Sequence, residues 1–334
     1  MLSSTENVLE STVTIVVIAY NHERFIVKAL DAAFAQSYKN CSVIVFDDAS
    51  PDGTAECVRD YLRGERQSTT FVEHQINRGL CATLNEALAY VTSEYVVFIS
   101  ADDWMEPNRI EEQVRALDAL GTGFGAAYSD ANIVDASGLP VGETFINAYL
   151  GEAEPPEGDI FLDLLRKNWI PAPAVLIRTN VFATVGRYDE DLPYEDYDMW
   201  LRIARSFKIA YTPGNLVNYR NVPGSLTEVV FVVEAPKARL AMVRIYKKHL
   251  GISAEADRIV AGHLEHLVVS QYLQGSPAAD VEADLRYMAR KTRSPTIFAY
   301  SLLAQMRVPG TWIASTKVLL NKAKSRRSYR DPTA

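Results

Sequence analysis

The stretch Tyr95-Val96-Val97-Phe98-Ile99-Ser100-Ala101-Asp102-Asp103-Trp104 joins an apolar run to two adjacent carboxylates. At the C-terminal edge of a strand in an open parallel sheet, side chains project into the crevice where ligands bind. Oxygen ligands at that edge suit Mg²⁺ or Mn²⁺ carrying a diphosphate. Alone, the pair reads equally well as an Asx turn or a helix cap, because Pro107 follows at a plausible helix start. The surrounding sequence decides between them.

Upstream, Val13-Thr14-Ile15-Val16-Val17-Ile18-Ala19 is too continuously apolar for a strand with one wet face, so it is expected to be buried on both sides. Glu23 to Ser37 then carries Phe25, Ile26, Ala29, Leu30, Ala33 and Phe34 at helical spacing. A strand at Ser42–Phe46 is broken by Asp47-Asp48-Ala49-Ser50-Pro51-Asp52-Gly53. A helix from Ala55 to Leu62, a strand near Thr69–Glu73 and a helix from Leu80 to Val91 lead back to the opening stretch. This alternation predicts an α/β fold with a doubly wound, mostly parallel sheet. Beyond about Val230 the pattern changes to helices over Lys237–Leu250, Ala254–Leu273, Ala278–Arg290 and Pro295–Gln305. The expected domains are a flexible N-terminus (1–11), a catalytic α/β domain (12–229), a helical region (230–310) and a basic amphipathic tail (311–334).

Each expected strand ends in polar residues: Tyr20-Asn21, Asp47-Asp48 with Ser50, Asn77-Arg78-Gly79, and Asp102-Asp103. The topology would bring all four to one edge of the sheet, a constellation that fits a nucleotide. A uracil or thymine edge needs an acceptor for its ring N–H and a flat partner, which Asp48 and Tyr20 offer, and Arg78 can meet the base or the phosphates. Taken singly, Tyr20 reads as a packing aromatic and Asp48 as a turn former. Four such coincidences in order are harder to explain by structure alone.

These residues resemble glycosyltransferase family 2, inverting enzymes with a GT-A, Rossmann-like fold. The resemblance rests on the opening Val-Thr-Ile-Val-Val-Ile-Ala-Tyr-Asn, on Asp-Asp-Ala-Ser-Pro-Asp-Gly-Thr, on Asn-Arg-Gly with Asn85 following, on Ser-Ala-Asp-Asp-Trp with Pro107, and on Tyr194-Glu195-Asp196-Tyr197-Asp198-Met199-Trp200-Leu201-Arg202. It covers roughly residues 12 to 228. It implies a donor site of Ala19, Tyr20, Asn21, Asp48, Arg78, Asn85, Ser100, Ala101 and Asp102, with Asp102 and Asp103 at a Mn²⁺ or Mg²⁺ ion. It makes Asp196 the general base with Glu195 as understudy, and places on the acceptor side Trp169, whose ring could stack on a sugar face or fill the core, and Arg202, which could orient the carboxylates or form a helix-surface ion pair. The chain departs from the family pattern at two positions. Ser100 stands where the first carboxylate of the Asp-x-Asp motif is usual, and a serine can still hydrogen-bond a ribose hydroxyl. Val222 stands where relatives often carry His before Pro-Gly-Ser. Arg220 or its loop could substitute, or the metal could lean on phosphate oxygens and water.

Three function classes follow. The favoured one is a non-processive glycosyltransferase using a UDP-sugar, or a dTDP-sugar second, on a glycan or lipid-linked glycan acceptor in surface polysaccharide synthesis. The chain lacks the Gln-x-x-Arg-Trp motif and the membrane-spanning helices associated with processive synthases of that family. A nucleotidyltransferase is disfavoured, because Ala19-Tyr20-Asn21-His22-Glu23 is no Gly-rich loop with Arg and Lys. A non-catalytic sugar- or nucleotide-binding scaffold is made thinkable by Ser100 and Val222, and the retained Asp102 and Glu195-Asp196 argue against it.

With 334 residues, 48% of them hydrophobic, the chain can bury a large core, and a net charge of −8 without a recognisable binding motif disfavours nucleic acid. Met1–Glu10 lacks the basic start and apolar core of a signal peptide. Cys41, Cys57 and Cys81 lack metal spacing and read as reduced core residues. The expected location is the cytoplasm. The six Lys or Arg between residues 317 and 330, interleaved with apolar residues, point either to an anionic membrane surface on its inner face or to a solvated tail. The helical region is a candidate for packing on the catalytic domain, forming a homodimer or shaping the acceptor entrance.

Overall fold

The computed structural model describes residues 11–230, 235–275, 278–292 and 294–315. The expected flexible N-terminus up to residue 10, and the basic tail from residue 316 onward, lie outside the described residues. The chain divides into two compact units, Met1–Glu228 and Val229–Ala334.

The first unit opens with β1 (Val13–Ala19), α1 (Ile26–Phe34), β2 (Cys41–Asp47), α2 (Thr54–Tyr61), β3 (Thr70–Glu73), α3 (Leu80–Ala87) and β4 (Tyr95–Ser100). Every residue of β1 is buried, as its unbroken apolar run requires. It lies between β2 and β4, parallel to both. Burying one Val or Ile side chain is worth about 1.5–3 kcal/mol, so a strand like this has no alternative register that keeps its side chains dry. In α1, Ile26, Ala29, Leu30 and Ala33 form the buried stripe. The helix is shorter than its apolar pattern, because the chain before it is held in a turn by Phe25 N and Ile26 N donating to the His22 carbonyl at 2.9 Å.

The unit continues with β5 (Trp104–Met105), α4 (Arg109–Leu120), β6 (Phe124–Val134), β7 (Pro140–Thr144), α5 (Phe145–Leu150), α6 (Phe161–Arg166), β8 (Val175–Arg178), α7 (Val181–Val185), α8 (Asp196–Ser206), β9 (Lys208–Arg220) and the single turn α9 (Leu226–Glu228). The sheet runs β3-β2-β1-β4-β8-β6-β9-β5, with β7 on β6. Its first half is parallel, as expected. Its second half is mixed, since β8 is antiparallel to both β4 and β6 while β9 runs parallel to β6. Bulges between Phe124 and Ala131 bend the long β6–β9 pair. Two reversals across β8 restore the original direction, so β6 and β9 end at the same edge as β1, β2, β3 and β4. The site below is built from those ends.

The second unit consists, among the described residues, of α10 (Ala235–Lys247), α11 (Ala254–Leu273), α12 (Ala278–Thr292), α13 (Pro295–Gln305) and a further helical turn over 310–315. Val260, Leu264 and Val268 of α11, Leu285 and Met288 of α12, and Ile297 of α13 are buried there. Among the described residues no helix is long and apolar enough to cross a membrane.

Candidate active site

Parallel pairing sets Ala19 beside Asp47 and Ile18 beside Ser100, which aligns three strand ends. Past them the backbone turns sharply. Asn21 and Ala49 adopt left-handed φ values of 60° and 58°. For a non-glycine residue that costs about 1–2 kcal/mol, and such strain clusters at functional sites. A short chain of bonds holds the two turns together: Asn21 N donates to Ser50 Oγ at 2.9 Å, and Ser50 N donates to Asp47 Oδ2 at 2.9 Å. Tyr20, 47% exposed, presents its ring at the surface.

At the end of β4 the two adjacent aspartates face different surroundings. Asp102 keeps one carboxylate oxygen, Oδ1, buried without a hydrogen-bond partner, and its Oδ2 lies 3.9 Å from His22 Nε2. His22 Nδ1 is likewise buried and unpartnered. A buried acceptor left unmade costs about 1–3 kcal/mol, so Asp102 Oδ1 is a seat for a donor or a cation. Asp103 turns into the protein. It is 4% exposed and its Oδ1 accepts from Arg220 N at 2.7 Å. Burial, and next the Asp102 charge, push its carboxyl well above the usual carboxylate range. Through its Oδ1, Asp103 ties β9 to β4, and its burial sets it apart from Asp102, with which it is expected to share a metal. Arg220 donates from Nε to the Asp102 carbonyl at 2.8 Å and from Nη1 to the Ala136 carbonyl at 2.9 Å, between the rings of Phe25 and Trp104. Its guanidinium is built into the scaffold, and Val222 beyond it supplies no ligand atom.

A divalent ion would therefore find one carboxylate oxygen and the imidazole of His22. Among the described residues no cluster of three metal-binding side chains occurs. That donor set fits a cation delivered with a diphosphate, since Mg²⁺ characteristically keeps several waters and takes one or two carboxylates plus phosphate oxygens.

Asp48 organises the neighbouring loop. Its Oδ1 accepts from His74 at 2.7 Å and from Arg78 N at 2.8 Å, and its Oδ2 accepts from Gly79 N at 2.8 Å. Gly79 reaches that carboxylate with φ 84° and ψ 158°, a region open essentially to glycine alone. One lone pair of Oδ2 remains for an outside donor. The Arg78 side chain is paired with Glu86, whose carboxylate stands 3.3 Å from His74 Nε2.

Glu195 and Asp196 begin α8, both half-buried. Burial, and next the Asp196 charge, raise the Glu195 carboxyl, and burial raises Asp196 as well. Two carboxylates held this close cannot both ionise at ordinary cost, so the pair retains a proton to higher pH than either would alone. Asn168 Nδ2 donates to Asp196 Oδ2 at 3.4 Å, a contact that favours the ionised form of Asp196 against the effect of burial.

Three residues expected at the site have structural partners. Asn85 is buried with its amide used on both sides: Nδ2 donates to the Tyr188 carbonyl at 3.0 Å and to Glu190 at 2.8 Å, and Oδ1 accepts from Tyr188 N at 2.9 Å. It holds the loop that leads to Glu195 and offers nothing to a nucleotide. Arg202 pairs with Asp198 at 2.8 Å and donates to the Val185 carbonyl at 2.6 Å, which anchors α8 instead of meeting an acceptor. Trp169 is 2% exposed and its Nε1 donates to Tyr128 Oη at 3.0 Å, so its ring fills the core. The exposed aromatic near the carboxylate pair is Tyr149, stacked on Phe145 with centroids 4.9 Å apart. Lys167 binds the Tyr149 carbonyl while the next residue, Asn168, binds Asp196.

His22, His74, Asn168 and Tyr149 were not singled out from sequence. The rule used for Asp48 and Asp102 applies to the two histidines, which directly follow strand ends. Asn168 and Tyr149 sit on loops and short helices where no sequence period points.

Asp48→Ala should lower folding stability by about 2–4 kcal/mol in urea unfolding, because it strands two buried amides and an imidazole. Glu195→Gln should raise Tm at pH 8 by about 2–4 °C and leave it unchanged near pH 4. The folded state holds a proton that the unfolded chain releases above the ordinary carboxylate range, so wild-type stability falls as pH rises, and the amide removes that fall. A Tm gain larger at pH 4 than at pH 8 would contradict the raised carboxyl.

Comparison with known proteins agrees with this geometry. Residues 14–135 match the model of the family described as glycosyl transferase family 2. An uncharacterised glycosyltransferase of Rickettsia typhi is 28% identical over 216 residues, 64% of this chain, which spans just under two thirds, 65%, of that relative's length. Among solved structures, Staphylococcus aureus TarS residues 1–349 in complex with UDP-GlcNAc matches with a TM-score of 0.60 at 16% identity, over 88% of this chain and 92% of that one. The mannosyltransferase PcManGT of Pyrobaculum calidifontis, in complex with GDP-Man and Mn²⁺, matches with a TM-score of 0.51 at 19% identity, over 90% and 86%. At those identities the likeness establishes the fold, a GT-A glycosyltransferase architecture. Residues 14–135, in the first unit, thus form a glycosyl transferase family 2 domain.

Proposed function

We propose that the chain is an inverting, non-processive glycosyltransferase that moves a sugar from a nucleoside diphosphate to a hydroxyl of a glycan or lipid-linked glycan. The observation that carries this reading is the buried, unpartnered Asp102 Oδ1 at the strand-end edge. A donor diphosphate with its cation answers that vacancy, and Asp102 with His22 would hold the ion. When bound, such an ion neutralises charge developing on the leaving diphosphate.

The chain's own groups account for the remaining steps. Tyr20 offers a face to the base, and the spare lone pair of Asp48 Oδ2 accepts a pyrimidine ring N–H, which favours UDP first and dTDP second. The amides and carbonyls of Ala19, Asn21 and Ala101, with the Ser100 hydroxyl, line the ribose side. Arg78, at the rim, can leave Glu86 for a phosphate. Asp196 takes the proton from the acceptor hydroxyl. Glu195 carries the shared proton and thereby spares the site a second negative charge. Tyr149, beside Asn168 and Asp196, offers an aromatic face on which an acceptor sugar ring can lie. That the solved neighbours hold UDP-GlcNAc and GDP-Man supports a nucleotide sugar as donor class. A setting in surface polysaccharide synthesis, in the cytoplasm and peripheral to the inner face of the membrane, completes the proposal, with the basic tail as the contact.

Release of nucleoside diphosphate from a panel of UDP-, dTDP- and GDP-sugars tests it. One donor should be turned over, and Asp196→Asn should reduce turnover by about 10²–10⁴ while nucleotide affinity stays, because the amide keeps shape and removes basicity. Glu195→Gln should be milder. Reversed effects would move the base role to Glu195. Pyrophosphate release from a nucleoside triphosphate and sugar phosphate, with no turnover of any donor, would favour a nucleotidyltransferase instead.

A further inference from the structure

α13 has no polar face. Its buried side is formed by Ile297, Tyr300 and Ser301. On the other side Phe298, Leu302 and, at the C-cap, Met306 follow at four-residue spacing and are 64%, 49% and 66% exposed. Helical residues four apart stand on one face, so these three form a stripe. The chain then turns and is pinned to α11. The Tyr272 hydroxyl donates to the Val308 carbonyl at 2.5 Å, and a Cβ on Gly310 would fall 1.8 Å from the Tyr272 carbonyl oxygen. Only glycine permits that approach, and it fixes where the turn over 310–315 begins. That turn carries Trp312, 70% exposed.

Single exposed apolar residues are ordinary on a protein surface, whereas a contiguous run of large ones marks an interaction site. The charge of the sequence that holds this run points to its partner. From Leu285 to Arg330 the sequence contains no Asp or Glu and eleven Lys or Arg, in a chain whose net charge is −8. A two-fold contact with a second copy would bring two such cationic regions together. An apolar stripe, an exposed tryptophan and flanking cations are what an interfacial helix presents to anionic lipid.

We propose that α13 and the turn carrying Trp312 dock the chain onto the surface of an anionic lipid bilayer, with Phe298, Leu302, Met306 and Trp312 entering the headgroup region. This extends the membrane part of the proposed function to a particular face. Its test makes no use of donor turnover, so the two readings can fail separately.

The experiment is cosedimentation of the full chain with phosphatidylglycerol/phosphatidylcholine vesicles and with pure phosphatidylcholine vesicles at about 0.15 M salt, near physiological screening. Wild type should partition onto the anionic vesicles, and Phe298→Ser/Leu302→Ser/Met306→Ser, whose tail charges are intact, should bind at least about tenfold more weakly. Anionic vesicles should also shift wild-type tryptophan emission to the blue, and Trp312→Phe should abolish the shift, a readout that holds if the triple variant fails to fold. Undiminished binding of a folded triple variant, equal binding to both vesicle types, or a triple variant that binds as wild type but changes from dimer to monomer would each overturn the proposal. So would wild-type emission that anionic vesicles leave unchanged.

Discussion

A carboxylate oxygen buried without a partner is the constraint from which the site takes its form. Asp102 Oδ1 is held in that state by what surrounds it. β4 delivers the residue to the edge of a sheet whose neighbouring strand β1 is wholly buried. Asp103, one residue on, turns inward to fix β9, and Arg220 clamps the Asp102 carbonyl from a seat between two aromatic rings. The scaffold thus sets one guanidinium against the Asp102 backbone yet leaves the buried Oδ1 unmatched. An unmade interaction of this kind is tolerated where a ligand completes it.

The two halves of the unit contribute differently. In the parallel half, Asp48 accepts from His74 and from the Arg78 and Gly79 amides, which fixes the chain that follows β3. The mixed half brings β9, α8 and the loops before them into place. It carries the carboxylate pair, in which burial raises both carboxyls and the Asp196 charge raises Glu195 further, and the aromatic ring of Tyr149. A proton retained on Glu195 lowers the charge of the pair, at some cost in stability at neutral pH.

What was legible in the sequence is what local pattern encodes. The apolar run of β1, the helical stripe of α1 and the four polar strand ends each depend on near neighbours, and all four ends meet at one edge as expected. The mixed order β8-β6-β9 was not legible, because it is fixed by pairings with no sequence period. The same limit explains the residues whose roles changed. Asn85 bonds to residues 103 and 105 positions away, and Asp103 bonds to one 117 away, so nothing near either in the chain distinguishes a ligand contact from a structural tie. For Trp169 and Arg202 the sequence leaves a structural and an acceptor-side reading equally open. An aromatic and a cation near a catalytic motif have the right chemistry for an acceptor, and only burial showed that both are already partnered.

The claim on which the account turns is that Asp102 meets a cation carried by the donor's diphosphate. Calorimetric titration of UDP into wild type and Asp102→Ala, each with and without Mn²⁺, addresses it directly. The account predicts that Mn²⁺ tightens UDP binding to wild type and that Asp102→Ala abolishes this gain. Equal affinity in all four titrations would contradict it.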